Sequence, residues 1–307
     1  MPQFSIVLPC FNSAATLEAT LASLQAQTRS DWEAICVDDG STDATCDLIR
    51  NFACMDPRIT LARNPGQGPS DARNYGALVM ATGELIAFCD ADDIWSPCKL
   101  AQLDAAFADP EVHGAFGQIA FFKDHPSDAK VFSTVPSEDL SIHLLLGENP
   151  VCTMSNMTVR KEVFSASGGF DTTIVHNEDL EWLIRLVGQG ARVVGLDDLQ
   201  TYYRTSAGGL SSDLTKMSAG RDRALATAAL YGVAPTSKNH AIHHRYLARR
   251  ALRLGQGRFD PIRYSMAGLA HSPASFLFPL RRGGLTLIAA LCAMLLPENT
   301  AQRLFSR

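Results

Sequence analysis

Three aspartates within four residues, Asp90, Asp92 and Asp93, follow an apolar run in the segment AFCDADDIW. In extended backbone, residues i and i+2 point to the same side, so the carboxylates of Asp90 and Asp92 can act together. Two such carboxylates can hold a hard divalent cation against the oxygens of a phosphate. The alternative is an acidic loop that caps the helix after Ser96, and a lone DxD leaves both interpretations open.

The elements around this segment alternate between short apolar strands and helical stretches. The predicted strands comprise residues 4–8, 34–37, 59–62 and 84–89. Strand–helix alternation predicts an α/β protein with a mainly parallel sheet covered by helices on both faces. Open sheets of this class bind ligands beyond the carboxyl ends of their strands. Two acidic clusters, Asp38/Asp39 and Asp90/Asp92/Asp93, are expected at such ends.

Length and composition indicate a globular chain. It has 307 residues, of which 46% are hydrophobic and 19% are charged, which suits one large domain or one domain with an appendage. The eight cysteines are scattered singly, without a CxxC pair or a His/Cys zinc spacing. This usage predicts a reducing compartment, and we expect a cytoplasmic protein.

The charge is unevenly distributed along the chain. From residue 241 onward there are ten arginines and two acidic residues, a net charge of +8, whereas the preceding 240 residues carry a net charge of −13. Such asymmetry indicates that the tail meets an anionic partner. The interleaved basic and aromatic residues of nucleic-acid binders are weak here, so we expect a membrane surface and no nucleic acid.

An apolar run at 285–296 lies within this basic tail. It is shorter than the roughly 20 residues that a membrane span needs. It could lie in the membrane interface, because two arginines precede it. A buried C-terminal helix and a dimer interface, and therefore a homo-oligomer, are the alternatives that the sequence leaves open.

Four segments appear in a fixed order on successive predicted strand ends. They are SIVLPCFN from Ser5, VDDGSTD from Val37, DARNYG from Asp71 and FCDADD from Phe88. This ordered set resembles the family 2 glycosyltransferases, and the resemblance covers residues 3–205. It implies a GT-A fold and inverting transfer of a sugar from a nucleotide-diphosphate sugar, of the UDP type, to an acceptor hydroxyl.

The resemblance also implies a division of the chain. Residues 1–210 form the glycosyltransferase domain, with residues 1–110 as the nucleotide-sugar part and residues 111–210 as the acceptor part. Residues 211–307 form a helical C-terminal extension. The resemblance fades after residue 212, so the extension inherits no role from the family, and its membrane association rests on charge and apolar character alone.

Donor binding is assigned by the resemblance to the first three segments. By this match, Asp39 accepts a hydrogen bond from a uracil-type ring N–H, which favours uracil or thymine over adenine. Pro9 and Asn12 border the base and the ribose. An N-cap of the following helix is the alternative for Asp39. Arg73 and Asn74 line the donor pocket, or alternatively belong to a solvent-exposed helix face.

Metal binding is assigned by the same match to the DxD segment. Asp92 binds Mn²⁺ or Mg²⁺ directly, Asp90 binds the metal or the ribose, and Asp93 supports the turn. The cation would cancel the repulsion between carboxylates and the charge of the diphosphate. Arg204 matches the family's late YR and reaches the diphosphate. The segment 207–212 closes over the donor or is a passive linker.

The segment HNEDLEW, from His176, resembles the family's ED motif, which opens a helix. By this match Asp179 is the base that takes the proton of the acceptor hydroxyl. Because a helix N-terminus stabilises ionised carboxylates, burial or acidic neighbours must keep Asp179 basic. The alternative is that Glu178 and Asp179 only neutralise the helix dipole. His176 and Glu178 are further acceptor-side candidates, and Trp95 and Trp182 either stack on a sugar or pack in the core.

Two other functions share some of these features. A sugar nucleotidyltransferase usually carries an early glycine-rich loop with a basic residue, and residues 8–16 contain neither. A catalytically silent nucleotide-sugar-binding scaffold would not need Asp90, Asp92 and Asp179. We therefore expect a glycosyltransferase with a glycan or lipid-linked acceptor, in bacterial polysaccharide or lipid-linked glycan assembly, peripheral on the cytoplasmic face of the inner membrane.

Overall fold

A computed structural model of the chain describes residues 2–205, 214–255 and 257–305, and nine strands in these ranges form one sheet. The strands are β1 (Phe4–Cys10), β2 (Trp32–Asp38), β3 (Ile59–Arg63), β4 (Leu85–Phe88), β5 (Ile94–Trp95), β6 (Gly114–Phe122), β7 (Val131–Phe132), β8 (Thr158–Arg160) and β9 (Val193–Arg204). Their order is β3-β2-β1-β4-β8-β6-β9-β5, with β7 paired to β6.

Helices connect and follow these strands. They are α1 (Leu17–Gln25), α2 (Thr45–Met55), α3 (Pro69–Asn74), α4 (Lys99–Phe107), α5 (Ile142–Gly147), α6 (Lys161–Ala166), α7 (Glu178–Gly188), α8 (Leu214–Leu230), α9 (Ser237–Leu254), α10 (Asp260–His271), α11 (Pro273–Leu277), α12 (Gly283–Leu295) and α13 (Glu298–Phe305). Among the helices of the described ranges, none combines the length and the apolar character needed to cross a membrane.

The first half of the sheet is parallel and the second half is mixed. Strand β1 pairs in parallel with both β2 and β4, and β2 pairs in parallel with β3. Strand β8 then runs antiparallel to β4 and to β6, whereas β9 is parallel to β6. The predicted α/β class with its parallel sheet and C-terminal helices is confirmed.

Strand β1 lies in the middle of the parallel half and is almost continuously apolar, because both of its faces are covered. Phe4, Ile6 and Leu8 point to one face and pack in a core cluster with Leu17 and Leu21 of α1. The i, i+4 spacing of the two leucines therefore buries one face of α1 against the sheet, as the sequence pattern predicts.

The carboxyl ends of β1, β2 and β4 meet at one edge of the sheet. The backbone N–H of Asp39 donates to the carbonyl of Cys10, at 2.8 Å, and that of Cys89 donates to the carbonyl of Val7, at 3.0 Å. These bonds fix the turns after β2 and β4 on either side of the end of β1. Both acidic clusters therefore begin at the same edge, where open parallel sheets bind ligands.

Contacts along the chain divide it into two compact units. The first comprises Met1–Leu140 with Pro150–Ser206 and contains the sheet. The second comprises Ser141–Asn149 with Ala207–Arg307 and contains α5 together with α8 to α13. The segment 207–212, considered above as a donor-closing loop, lies outside the described residues.

The helix predicted over residues 70–80 has a different form in its second half. After α3, residues Tyr75–Met80 continue as a π-helix, with wider turns than an α-helix. Gly76 allows close approach to β1 here, because a Cβ on Gly76 would lie 2.4 Å from Cγ1 of Val7. The segment that carries Arg73 is thereby held directly against the central strand.

An aromatic cluster joins the end of β4 to helices α6 and α7. Phe88, Phe164, Phe170 and Trp182 contact one another with ring centroids 5.0 to 6.2 Å apart. All four side chains are buried. Their packing brings the N-terminus of α7 to the carboxyl end of β4, where the acidic segment begins.

The structure corrects the sugar-stacking interpretation of Trp95 and Trp182. Both indoles are buried in the core. The Nε1 of Trp182 donates to Oγ of Ser167, at 2.9 Å, and that of Trp95 donates to the carbonyl of Ser155, at 3.0 Å. A ring without an exposed face cannot stack on a sugar, so the core-packing alternative is the one that the structure supports.

Replacing Trp182 with alanine should therefore reduce stability. Trp182→Ala removes a ring from the centre of the aromatic cluster, and we expect the free energy of unfolding to fall by about 3–5 kcal/mol. Urea unfolding measures this loss, with Val79→Ala at an exposed position as the control, which should stay within about 0.5 kcal/mol. A Trp182→Ala protein as stable as the control would contradict the buried placement.

Candidate active site

A buried arginine occupies the centre of the candidate site. The guanidinium of Arg73, at the end of α3, forms ion pairs with Asp90, at 2.7 Å, and with Glu178, at 3.2 Å. Its side chain is 7% exposed, and the charges of Asp90 and Glu178 raise its pKa against the opposing effect of burial. Arg73 thus connects the DxD segment after β4 to the first residue of α7.

The other oxygen of Asp90 is also engaged. Its Oδ2 accepts a hydrogen bond from Oγ1 of Thr153, at 3.1 Å, and its backbone N–H donates to Oγ of Ser155, at 2.8 Å. Asp90 is therefore fixed from two sides by residues of the first unit. Each of its oxygens keeps a further lone pair for a ligand.

Ser155 is part of a buried support beneath the DxD segment that the sequence did not reveal. Its carbonyl accepts hydrogen bonds from Nζ of Lys99, at 2.6 Å, Nε1 of Trp95, at 3.0 Å, and Oγ1 of Thr201, at 3.1 Å. Lys99 is fully buried, and burial lowers its pKa to about 7. The sequence did contain one indication of this role. Lys99 is the first residue of α4, where a positive charge opposes the helix dipole and therefore needs another reason to be there.

Asp92 and Asp93 lie in an environment that disfavours their ionised forms. Burial, and then the charge of Asp90, raises the pKa of Asp92 to about 6. Burial, and then the charges of Asp92 and Asp90, also raises the pKa of Asp93. Oδ1 of Asp93 accepts a hydrogen bond from the backbone N–H of Arg204, at 2.9 Å, which supports the turn as the sequence predicts.

Arg204, the last residue of β9, lies beside this acidic segment. Its Nε donates to the carbonyl of Asp92, at 3.0 Å, and its guanidinium lies 4.6 Å from the ring centroid of Phe122. The antiparallel pairing of β5 with β9 places it there, because Ile94 is opposite Tyr202. A cation next to the DxD segment is therefore available to an anionic ligand.

Asp179 follows Glu178 in the first turn of α7, on the acceptor side of the predicted site. Burial, and then the charge of Glu178, raises the pKa of the Asp179 carboxyl to about 7. A helix N-terminus lowers the pKa of a nearby carboxyl, and here burial and the neighbouring Glu178 outweigh that effect, as the proposed base requires. His176, two residues before α7, is half-buried.

On the donor side, Asn12 and Asp39, which follow β1 and β2, are held by hydrogen bonds to neighbouring loops. Oδ1 of Asn12 accepts from the backbone N–H of Thr42, at 2.8 Å, and its own N–H donates to Oγ of Ser41, at 3.0 Å. The carboxylate of Asp39 accepts from Nδ2 of Asn64, at 2.6 Å, and from the N–H of Gly68, at 2.9 Å. Both side chains are oriented by these bonds before any ligand arrives.

Pro9 and Asn74 complete the set of predicted donor residues. Pro9 is half-buried near the end of β1. Nδ2 of Asn74 donates to the carbonyl of Phe170, at 2.9 Å, and its Oδ1 accepts from the N–H of Phe170, at 2.8 Å. These two hydrogen bonds hold the turn before α7. Glycine at position 169 leaves room for Asn74, because a Cβ there would lie 2.4 Å from Oδ1 of Asn74. Asn74 is thus occupied in positioning the turn.

The donor set of the DxD segment is compatible with one divalent cation. Within the described ranges, no three His, Cys, Asp or Glu side chains converge on a metal position. Magnesium commonly uses one or two carboxylates and completes its shell with phosphate oxygens and water. Asp92 fits this pattern as a carboxylate that lies next to Asp90 in the DxD segment, with the carbonyl of its own residue bound to Arg204.

Removing the charge of Arg73 should cost far more than removing a surface arginine. Arg73→Gln leaves Asp90 and Glu178 without their shared cation, and we expect the free energy of unfolding to fall by about 3 kcal/mol. The matched control is Arg50→Gln, which breaks an exposed pair with Asp47 and should cost at most about 0.5 kcal/mol. Equal midpoints in urea for the two variants would refute the central role of Arg73.

Comparison with curated proteins identifies relatives of the chain. It is 34% identical over 167 residues to the uncharacterized glycosyltransferase alr2836 of Nostoc sp., an alignment that covers 52% of each chain. It is 29% identical over 214 residues to the UDP-Glc:alpha-D-GlcNAc-diphosphoundecaprenol beta-1,3-glucosyltransferase WfgD of Escherichia coli. That second alignment covers 69% of this chain and 81% of WfgD.

Solved structures share the fold. The Staphylococcus aureus TarS fragment 1–349 in complex with UDP superposes with a TM-score of 0.60 at 17% identity, covering 100% of this chain and 90% of that one. The mannosyltransferase PcManGT of Pyrobaculum calidifontis, in complex with GDP-Man and Mn²⁺, gives a TM-score of 0.61 at 22% identity, covering 99% and 84%. The predicted GT-A fold is confirmed.

A model of the family described as glycosyl transferase family 2 matches residues 5–168. The match includes all four segments that carry the resemblance, from the first strand to the DxD segment, and it ends in the turn before α7. Because it covers more than half of the chain, this protein belongs to glycosyl transferase family 2.

Proposed function

We propose that the chain transfers a sugar from a nucleotide-diphosphate sugar of the UDP type to an acceptor hydroxyl, with inversion at the anomeric carbon. The observation that carries this proposal is the ion-pair network of Arg73 with Asp90 and Glu178. It joins the DxD segment to the residue next to Asp179, so donor-side and acceptor-side carboxylates belong to one site. Family membership and the relatives' names support the same reaction class.

Asp179 acts as the general base in this proposal. Its carboxylate takes the proton of the acceptor hydroxyl as that oxygen attacks the anomeric carbon. The bond from the anomeric carbon to the diphosphate oxygen breaks, and the nucleotide diphosphate leaves with the electron pair. A pKa raised to about 7 gives the carboxylate a useful proton affinity, and its ionised form predominates above that pH.

The donor is held by residues from three strand ends. Asp39 accepts the ring N–H of uracil, in an orientation set by Asn64 and Gly68. Pro9 and Asn12 border the base and ribose. Arg204 contributes positive charge to the diphosphate, while Arg73 and Asn74 act by positioning their neighbours.

A bound divalent cation, Mn²⁺ or Mg²⁺, would neutralise the diphosphate charge that develops as the sugar leaves. Asp92 is the direct ligand in this proposal. Asp90 contributes its charge, although its two oxygens already accept hydrogen bonds from Arg73 and Thr153. PcManGT, with GDP-Man and Mn²⁺, shows that a protein of this fold binds such a pair.

The acceptor is a glycan or a lipid-linked sugar in bacterial polysaccharide or lipid-linked glycan assembly. WfgD and WfaP, both named for a diphosphoundecaprenol acceptor, support this class. Such an acceptor is anchored in a membrane, and we propose that the reaction takes place at the cytoplasmic face of the inner membrane. Residues 1–210 then form the catalytic domain, and residues 211–307 form an extension that meets the membrane surface. His176 and Glu178 lie toward the acceptor.

Replacing Asp179 with asparagine tests the catalytic assignment. Asp179→Asn keeps the shape of the side chain but removes the base, so transfer should fall by about 10²–10⁴-fold while UDP binding stays nearly unchanged. Transfer from a panel of UDP-, GDP-, ADP- and dTDP-sugars to an N-acetylglucosaminyl-diphosphate lipid analogue gives the rate, with and without chelator. Calorimetry gives UDP binding.

Asp47→Asn, at an exposed position on α2, is the matched control and should keep full activity. Normal turnover by Asp179→Asn would show that another group is the base. A wild-type chain that neither binds nor cleaves any nucleotide sugar in the panel would overturn the proposed function itself.

Metal affinity should depend on pH through Asp92. Its carboxyl has a pKa of about 6 and must be ionised to bind a cation, so protons compete with the metal below that pH. We expect Mn²⁺ affinity, measured by electron paramagnetic resonance in the presence of a UDP-sugar, whose diphosphate has no ionisation near this pH, to fall about tenfold one unit below the pKa. Asp92→Asn should bind weakly without this pH dependence. A strong, pH-independent affinity in that variant would place the cation elsewhere.

A further inference from the structure

Helix α12 exposes an apolar stripe within the second unit. Leu285, Ile288, Leu291 and Leu295 are 43% to 76% exposed. Their spacing of three, three and four residues places them on one side of the helix. The opposite side, including Thr286, Ala290 and Ala293, is the buried one. The largest apolar side chains of this helix therefore face outward and small residues face the unit, the reverse of an ordinary surface helix.

The loop before α12 extends this stripe. Phe278 and Leu280 are 60% and 59% exposed. A Cβ on Gly284 would lie 3.5 Å from Cδ2 of Leu280, so the Leu280 side chain lies over the first turn of α12. Gly284 is on the same side as Ile288 and Leu291, four and seven residues later. We call the resulting surface the apolar face; it consists of Phe278, Leu280, Leu285, Ile288, Leu291 and Leu295.

Arginines lie at both ends of the apolar face. Arg281 is exposed and adjoins Leu280 at the N-terminal end. At the other end, Nε and Nη2 of Arg258 donate to the carbonyl of Met294, at 3.1 and 3.0 Å. Helix α12 itself contains no acidic residue, and Arg282, just before it, forms an ion pair with Glu148 at 3.3 Å, so Arg281 is the exposed arginine of this loop. The face therefore combines apolar area with positive charge and matches an anionic apolar partner.

The dimensions of the face fit a helix that lies in a membrane interface. Helix α12 has 13 residues and is therefore about 20 Å long, shorter than the hydrocarbon core of about 30 Å. Interfacial helices bury an apolar side at the boundary of headgroups and acyl chains, while flanking arginines reach the phosphates. A second copy of the chain is a poorer match, because a symmetric contact through this face would bring like charges together.

We propose that the apolar face of α12 docks into the headgroup region of an anionic lipid bilayer and holds the enzyme at the membrane surface. This rests on the proposed function in one respect, that the acceptor is presented at a membrane. The docking itself needs only the apolar side chains and the arginines at their ends. It would confine the catalytic unit near acceptors that diffuse in the plane of the membrane.

Vesicle flotation with the full chain tests this docking. Wild-type protein should float with vesicles of phosphatidylglycerol and phosphatidylcholine, and much less with phosphatidylcholine alone. In the double variant Leu285→Glu/Ile288→Glu we expect the bound-to-free ratio on anionic vesicles to fall by at least about tenfold, since two carboxylates replace apolar contacts at already exposed positions. Arg281→Gln should reduce the ratio by about fivefold, the effect of one basic residue.

Met55→Glu, at a 72% exposed position on α2 in the first unit, is the matched control and should float as wild type does. The proposal is overturned if wild type does not float, or if the double variant floats as well as the control. Sedimentation without vesicles tests the alternative that a second copy of the chain binds this face. If the wild type is a dimer and the double variant is a monomer, the face is assigned to a second copy. UDP binding and donor cleavage in the same preparations report on the proposed function separately from flotation.

Discussion

The ion pair that Arg73 shares between Asp90 and Glu178 is the interaction on which the site depends. Two acidic segments from distant parts of the chain meet there, and without a cation their charges would oppose the packing of α7 on the end of β4. A guanidinium can bind both carboxylates because its N–H donors are spread over a rigid planar group, whereas those of a lysine all lie on a single nitrogen. Burying it costs desolvation energy, and the contacts with both carboxylates offset that cost.

Packing and hydrogen bonds hold the two acidic partners of Arg73 within ion-pair distance of it. One support lies around α7 and the other lies beneath Asp90. The aromatic cluster packs α7 against β4, and Asn74 binds both backbone groups of Phe170 in the preceding turn. Beneath Asp90, the carbonyl of Ser155 accepts hydrogen bonds from three elements, including one from Nζ of Lys99. Supports of this kind fix the charged side chains of a site in position before a ligand binds.

The sequence predicted the parallel half of the sheet well, because hydrophobic runs, glycine turns and strand-end aspartates are local signals. It also identified the carboxylates after β2 and β4 and the acidic start of α7. It did not predict which charges pair. Arg73 and Glu178 are 105 residues apart, and only the packing of the fold brings them together. Trp182 and Lys99 show the same limit, since their burial is decided by neighbours that no local pattern specifies.

The carboxylates of the site differ in their ion pairing and in their pKa. Asp90 and Glu178 are neutralised by Arg73 within the chain. At Asp92 and Asp179, burial and a like-charged neighbour outweigh the opposing charges of Arg204 and Arg73, and the pKa of each is raised, to about 6 and about 7. A carboxyl whose pKa is raised in this way has a greater affinity for a proton than an ordinary one. In the proposed reaction, Asp92 binds the divalent cation and Asp179 takes the proton of the acceptor hydroxyl. In this proposal, metal binding and proton transfer take place at separate carboxylates on the two sides of the Arg73 ion pairs.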